Sequence, residues 1–115
     1  VKIIDKPWGR EISLFDNGHV RAKIIEINPG QKLSLQYHNK KIEFLAWIDG
    51  SGEIILGNKK RAYNKDTDNK GVMIFPKTRH RFMSTKTEKV RYLELSVGSD
   101  LDIIRIEDNY GRINE

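Results

Sequence analysis

The sequence predicts an all-β sandwich or barrel. Short alternating or β-branched runs recur along the chain, each run is closed by residues with turn chemistry, and patterns of helical spacing are scarce. In order, the strand candidates are Glu11 to Phe15, Val20 to Ile27, Leu33 to His38, Ile42 to Ile48, Glu53 to Leu56, Val72 to Phe75, His80 to Met83 and Val90 to Val97.

Each break has its own mechanism. Asp16-Asn17-Gly18 supplies the positive φ of a tight hairpin, and Asn28-Pro29-Gly30 suits the centre of a type II turn. Asp49 to Gly52, Gly57-Asn58, Asp66 to Gly71 and Lys86 to Glu88 separate the later runs. On the last strand, Leu93, Leu95 and Val97 form one face and Tyr92, Glu94 and Ser96 the other, so Glu94 either enters a polar barrel interior as an acid–base candidate or faces solvent. From Ser99 to Arg112 the apolar residues Leu101, Ile103, Ile104 and Ile106 fit a strand or one helical turn, and the segment reads as a C-terminal appendage packed on the barrel.

At 115 residues the chain has the size of one ordinary domain, so residues 1–115 are expected to form a single unit. An apolar content of 37% is enough to build a core and argues against disorder of the whole chain. No run approaches the roughly 18 apolar residues of a membrane span, and the start does not resemble a signal peptide, so a soluble, cytoplasmic protein with no membrane partner is expected. With no cysteine, thiolate metal sites, Fe–S clusters and cysteine nucleophiles are excluded. The net charge of +5 points to an anionic partner. Because the basic residues are scattered, with only short groups such as Lys59-Lys60-Arg61, a phosphorylated small molecule is favoured and no nucleic acid is expected.

Pro29 to Gly50 is the segment richest in chemistry. Gln36 and His38 stand two apart and so share a face of a strand. Glu43 follows after four residues, enough to turn back and bring an acidic donor to the same place. His80, just beyond the Phe75-Pro76 break, supplies a fourth donor if its strand lies alongside. Gln36, His38, Glu43 and His80 thus form a candidate set for a divalent ion, with zinc favoured and manganese, cobalt or iron also compatible.

Gly30, five residues, Gln36, one residue, His38, four residues, Glu43, six residues and Gly50 resembles the first cupin motif, with Gln in place of the usual first His. Gly71-Val-Met-Ile-Phe-Pro76-Lys-Thr-Arg-His80 resembles the second, one residue short and with Thr78 where Gly would stand. The resemblance implies a cupin jelly roll, two antiparallel sheets closing a small barrel with the metal in its mouth. Lone barrels of this kind pair through exposed strands, so a homodimer is expected.

Lys6-Pro-Trp-Gly9, Leu33-Ser-Leu-Gln-Tyr-His38 and Ile104-Arg-Ile-Glu-Asp-Asn-Tyr-Gly-Arg112 are similar to the type II mannose-6-phosphate isomerase family. There the module is commonly the C-terminal part of a bifunctional enzyme whose other part is a mannose-1-phosphate guanylyltransferase. No Gly-rich phosphate loop for that second activity occurs in this chain. The family also shows Gln in the metal motif, and associates activity and sugar-phosphate binding with two arginines that map onto Arg105 and Arg112. The stretch from Val97 to Ile103 departs from the family pattern.

The implied reaction is metal-dependent isomerisation of mannose 6-phosphate to fructose 6-phosphate. Arg105 and Arg112 would grip the phosphate with guanidinium forks, Arg112 thereby orienting the reacting carbon. Glu94, Lys40 and Tyr37 are candidates for the base. Two alternatives stay open: a non-catalytic cupin that binds a sugar or sugar phosphate, and an epimerase or ketoisomerase acting on a nucleotide-linked sugar. Trp8 reads as an anchor for the N-terminal arm, Trp47 as core and His19 as exposed.

Overall fold

The computed structural model describes residues 1–64 and 71–113, and the turn expected from Asp66 lies almost wholly outside them. Among these residues, β1 (Lys2–Lys6), β2 (Gly9–Asp16), β3 (Val20–Ile27), β4 (Leu35–Tyr37), β5 (Ile42–Gly50) and β6 (Gly52–Leu56) are followed by β7 (Lys59–Tyr63), β8 (Val72–Ile74), β9 (His80–Ser84), β10 (Val90–Val97) and β11 (Ile104–Glu107). They form two antiparallel sheets, one in the order β1-β2-β3-β10-β5-β8 and the other β11-β4-β9-β6-β7. This is the jelly-roll architecture that the sequence implied. No helix among the described residues is long and apolar enough to cross a membrane.

The hydrophobic core lies between the sheets because alternate residues of each strand point inward. On β10 Val90, Tyr92, Glu94 and Ser96 are buried while their neighbours are not. Trp8, Ile25, Ile27, Leu45, Ile54, Ile74 and Phe82 complete the centre of this core. Removing such a side chain from water is worth about 1.5–3 kcal/mol. Trp8 is more than an anchor: it is 2% exposed, at the tip of the β1–β2 hairpin and inside the core. Trp47 is only half-buried, packing against that core and donating through Nε1 to Gly50 O at 2.9 Å. A bulge opposite Arg91 and Tyr92 takes Ile48 out of register, so β5 runs to Gly50 and Ser51 alone separates it from β6.

Two strands escaped the sequence reading. β1 and β7 are edge strands in which most residues are exposed, so neither shows apolar alternation. Lys59, Lys60 and Arg61 protect the β7 edge from further pairing. The Leu33 run is a strand only over Leu35–Tyr37, and the appendage contributes β11, which pairs with β4. The Asn17 hairpin behaves as its residues require: Gly18 takes φ 90°, and the Asn17 side chain accepts from the backbone N–H of His19 and Val20 at 2.9 and 2.8 Å. His19 is exposed there.

Candidate metal centre

The polar end of the barrel is assembled from four strands. Gln36 on β4 pairs in register with His80 on β9, while Glu43 on β5 lies opposite Ser96 on β10, one inward position from Glu94. His38 Nε2 is 2.7 Å and His80 Nε2 3.2 Å from Glu43 Oε1. All three residues are buried, and their ligand atoms lie within 4.8 Å of one another. The shortened second motif still delivers its histidine, because Lys77 adopts φ 65° and its N–H donates to His38 O at 2.6 Å, tying the turn to the first motif.

The chemistry of the donors fits a cation. His38 Nδ1 lies 2.6 Å from the Asp102 carbonyl and His80 Nδ1 2.9 Å from the Thr78 carbonyl. A carbonyl only accepts, so both Nδ1 atoms carry hydrogens and both rings turn Nε2 to the centre. With Nδ1 engaged, Nε2 of each ring is the atom left to ligate, and it stands beside an anionic carboxylate oxygen, a donor set that suits a cation. His38, Glu43 and His80 could therefore hold a metal ion. Gln36 reaches the same place differently: its Oε1 accepts from Ser34 Oγ at 2.5 Å and its amide nitrogen is 3.4 Å from His80 Nε2. Turning the amide over would offer the oxygen instead.

Glu94 and Glu43 share a hydrogen bond, and their environments drive them apart. Burial pushes the Glu94 carboxyl well up, reinforced by the charge of Glu43 and the shared bond. For Glu43, burial acts in the same direction but is outweighed by hydrogen bonds from Glu94, His38 and His80 and by Lys41, which hold it well below the usual carboxylate range. The consistent arrangement is a protonated Glu94 donating to an ionised Glu43.

Gln36, His38, Glu43 and Glu94, though not the fully buried His80, line one cavity of about 250 Å³, which also receives Lys6, Lys23, Lys41, Arg105 and Arg112. Arg112 is already engaged: its fork meets the Asp108 carboxylate at 2.9 and 3.1 Å and its guanidinium lies over the Tyr110 ring. Lys40 and Tyr37 do not line the cavity, and Lys40 is exposed. Lys41 lines it instead, buried, 3.8 Å from Glu43 Oε2 and 3.1 Å from Asp100 Oδ1. Counting back by two from Glu43 identifies Lys41 from sequence. The contribution of the 99–102 segment has no such signal. Asp102 accepts from the backbone N–H groups of Asn39, Lys40 and Lys41 at 2.9, 2.8 and 2.9 Å while its own carbonyl holds His38.

Residues 2–108 match the family model described as Mannose-6-phosphate isomerase C-terminal. The chain is 31% identical over 113 residues to the alginate biosynthesis protein AlgA of Pseudomonas aeruginosa, covering 96% of this chain and 23% of that protein. It is 30% identical over 112 residues to a mannose-1-phosphate guanylyltransferase of Klebsiella pneumoniae, covering 95% and 23%. A cupin-2 domain protein of Rhodospirillum rubrum superposes with a TM-score of 0.67 at 19% identity, covering 81% of this chain and 67% of that one, which establishes the cupin fold. The chain thus spans less than a quarter of the length of the curated relatives it matches.

These findings correct the expectation of mannose 6-phosphate to fructose 6-phosphate isomerisation. The relatives cover far more than this module, and the name guanylyltransferase indicates nucleotide-sugar chemistry.

Proposed function

Because the chain belongs to the mannose-6-phosphate isomerase C-terminal family, we propose that it is a metal-dependent cupin enzyme of nucleotide-sugar metabolism, an epimerase or ketoisomerase whose sugar is carried on a diphosphate. The observation that carries this reading is the shared cavity: His38 and Glu43, which stand with the buried His80 in one donor set, the protonated Glu94 and five cationic side chains line one space. The names of the relatives favour a guanosine diphosphate carrier.

His38, Glu43 and His80, joined by Gln36 once its amide turns, would hold the divalent ion, zinc in the first instance. When bound, the ion supplies Lewis acidity to a sugar oxygen. Glu94 holds a proton at the cavity floor and acts as the acid–base group, its burial keeping that proton in place until substrate arrives. Lys6, Lys23 and Lys41 supply positive charge to the cavity, and Arg105 with Arg112 adds to it from the C-terminal segment. Set against Glu11, Glu43 and Asp100 on the same lining, the five cations leave a positive excess, which suits an anionic carrier such as a diphosphate. Arg112, its fork held by Asp108, contributes charge and whatever N–H groups face the cavity, which positions the diphosphate relative to Glu94.

The test is calorimetric titration of the zinc-loaded protein with GDP-mannose, GDP and mannose 6-phosphate, followed by NMR of GDP-mannose in D₂O. The reading expects GDP-mannose to bind more tightly than the other two and to exchange a sugar C–H for deuterium. Tighter binding of mannose 6-phosphate, or no exchange at saturating GDP-mannose, would contradict it.

A further inference from the structure

Arg21 and Lys23 stand two apart on β3 and so share a face, while Lys41 stands just before β5, on the other side of β10. The three cations converge on one carboxylate. Asp100 Oδ2 lies 3.0 Å from Arg21 Nε and 3.6 Å from Lys23 Nζ, and Asp100 Oδ1 lies 3.1 Å from Lys41 Nζ. The side chains of Arg21, Lys23 and Lys41 are 11%, 12% and 7% exposed, whereas that of Asp100 is 43% exposed. The cations are thus fixed in the wall, and the anion is the member nearest solvent. Lys23, Lys41 and Asp100 also line the cavity of the candidate metal centre. Burial acts upward on the Asp100 carboxyl, but Lys23, Lys41 and Arg21 outweigh it and hold the group below its ordinary value, so Asp100 is an anion at neutral pH.

From this arrangement we propose that Arg21, Lys23 and Lys41 form a subsite for a phosphoryl group, and that Asp100 is its resident occupant, which the phosphoryl group of the ligand displaces. Oxygen count favours that ligand class. A carboxylate has two oxygens to divide among three cations, and here Oδ2 serves both Arg21 and Lys23, the latter at a long 3.6 Å. A phosphoryl group brings three acceptor oxygens and a larger charge, so each cation can receive an oxygen of its own. A neutral sugar has no charge to set against Asp100 and does not displace it.

The segment around Asp100 is built to let go. Gly98 precedes it at φ 126°, a conformation that favours glycine, and donates its N–H to His19 O at 2.9 Å. Asp102 follows it and is held separately by the backbone N–H groups of the 39–41 turn. Between these anchors Leu101 is 92% exposed, so no apolar burial holds the tip down. The bonds from Leu101 N–H to Ser99 Oγ and from Asp102 N–H to Ser99 O, both 3.1 Å, are local to the tip. The ion pairs of Asp100 are what tie it to the wall. Their release leaves no buried charge alone, because Arg21 keeps Asp16 at 3.3 Å, Lys23 keeps Glu11 at 3.5 Å and Lys41 keeps Glu43 at 3.8 Å. With Asp100 swung out, the five cations of the lining face only Glu11 and Glu43 as ionised carboxylates, an excess that a phosphoryl dianion satisfies. The subsite rests on the proposed function only for the identity of the carrier. Inorganic phosphate probes it without metal or turnover, so the two readings fail separately.

The test joins calorimetric titration of the intact chain with inorganic phosphate to spin-label spectra from Leu101→Cys, which places one thiol in a chain without cysteine. Phosphate is expected to bind and to raise the mobile fraction of the label. With Asp100→Asn added, the label is expected to be mobile from the outset, and phosphate to bind about tenfold more tightly, because the closed state no longer reduces the apparent affinity. Lys23→Gln should weaken phosphate binding several-fold, since a dianion loses more than the carboxylate it displaces. No phosphate binding, a label spectrum unchanged at saturating phosphate, or equal affinity in the wild type and Asp100→Asn overturns the proposal. Binding lost in Arg112→Gln but unchanged in Lys23→Gln overturns it in favour of the C-terminal arginines as the seat of the anion.

Discussion

The backbone carbonyl of Asp102 lies 2.6 Å from His38 Nδ1, so a residue of the C-terminal segment sets the tautomer of a candidate metal ligand sixty-four positions away. The same residue's carboxylate collects three backbone N–H groups of the 39–41 turn. The connection between β4 and β5 is therefore latched from the segment that precedes β11, and the appendage is part of the site.

Asp102→Ala removes those three acceptors while leaving the carbonyl in place. The expected result is a loss of zinc affinity of about 10- to 100-fold, the usual cost of disturbing a partner of a ligating histidine, with Asp102→Asn falling between. Competition with a chelating dye checks this. Equal affinity in all three proteins would show that the latch does not orient His38.

Gly50 has φ +81°, and a Cβ there would stand 1.8 Å from the Lys89 carbonyl oxygen. Gly50→Ala must move the β5 terminus away from the start of β10, and a loss of about 3 kcal/mol or more is expected in urea unfolding.

Tyr92 is buried, and its hydroxyl has no hydrogen-bond partner among the described residues. Burial raises its ionisation above the ordinary value. An unsatisfied buried hydroxyl costs stability, so Tyr92→Phe should leave the melting temperature unchanged or raise it. A clear fall in melting temperature would reveal a partner for the hydroxyl.

Acid sensitivity has an identified contributor. The hydrogen bond from Arg10 is the main cause that lowers the Glu26 carboxyl from its ordinary 4.5, against opposing burial and with help from Arg91 and Lys89. A carboxyl whose folded pKa is depressed contributes stability that is complete above the unfolded value and is lost as pH falls through the folded one. Glu26→Gln should therefore lower stability at pH 7 while flattening its decline below about pH 4.5, seen in denaturation curves at successive pH values.

How far the sequence could be read follows from these particulars. Strands whose inward residues alternate, such as β10, are legible because a period of two is visible in one dimension; the period groups Glu94 with Tyr92 and Ser96 and does not say which way that face points. The spacing of Gln36, His38 and Glu43 was legible for the same reason. Edge strands β1 and β7 are not, since most of their residues are exposed and neither displays an apolar period. Nor was Asp102, whose contribution includes a backbone carbonyl that every residue possesses. Strand parity, by contrast, places Lys41 rather than Lys40 on the face of Glu43.

That His38, Glu43 and His80 together hold a metal ion underlies the proposed function. Its most direct test is the metal content of the purified chain after loading with zinc and exhaustive dialysis, beside that of His38→Ala. About one ion per chain is expected in the wild type and almost none in the variant, since removing one imidazole from so small a donor set forfeits most of the affinity. Equal zinc in the two proteins, or none in the wild type, would contradict it.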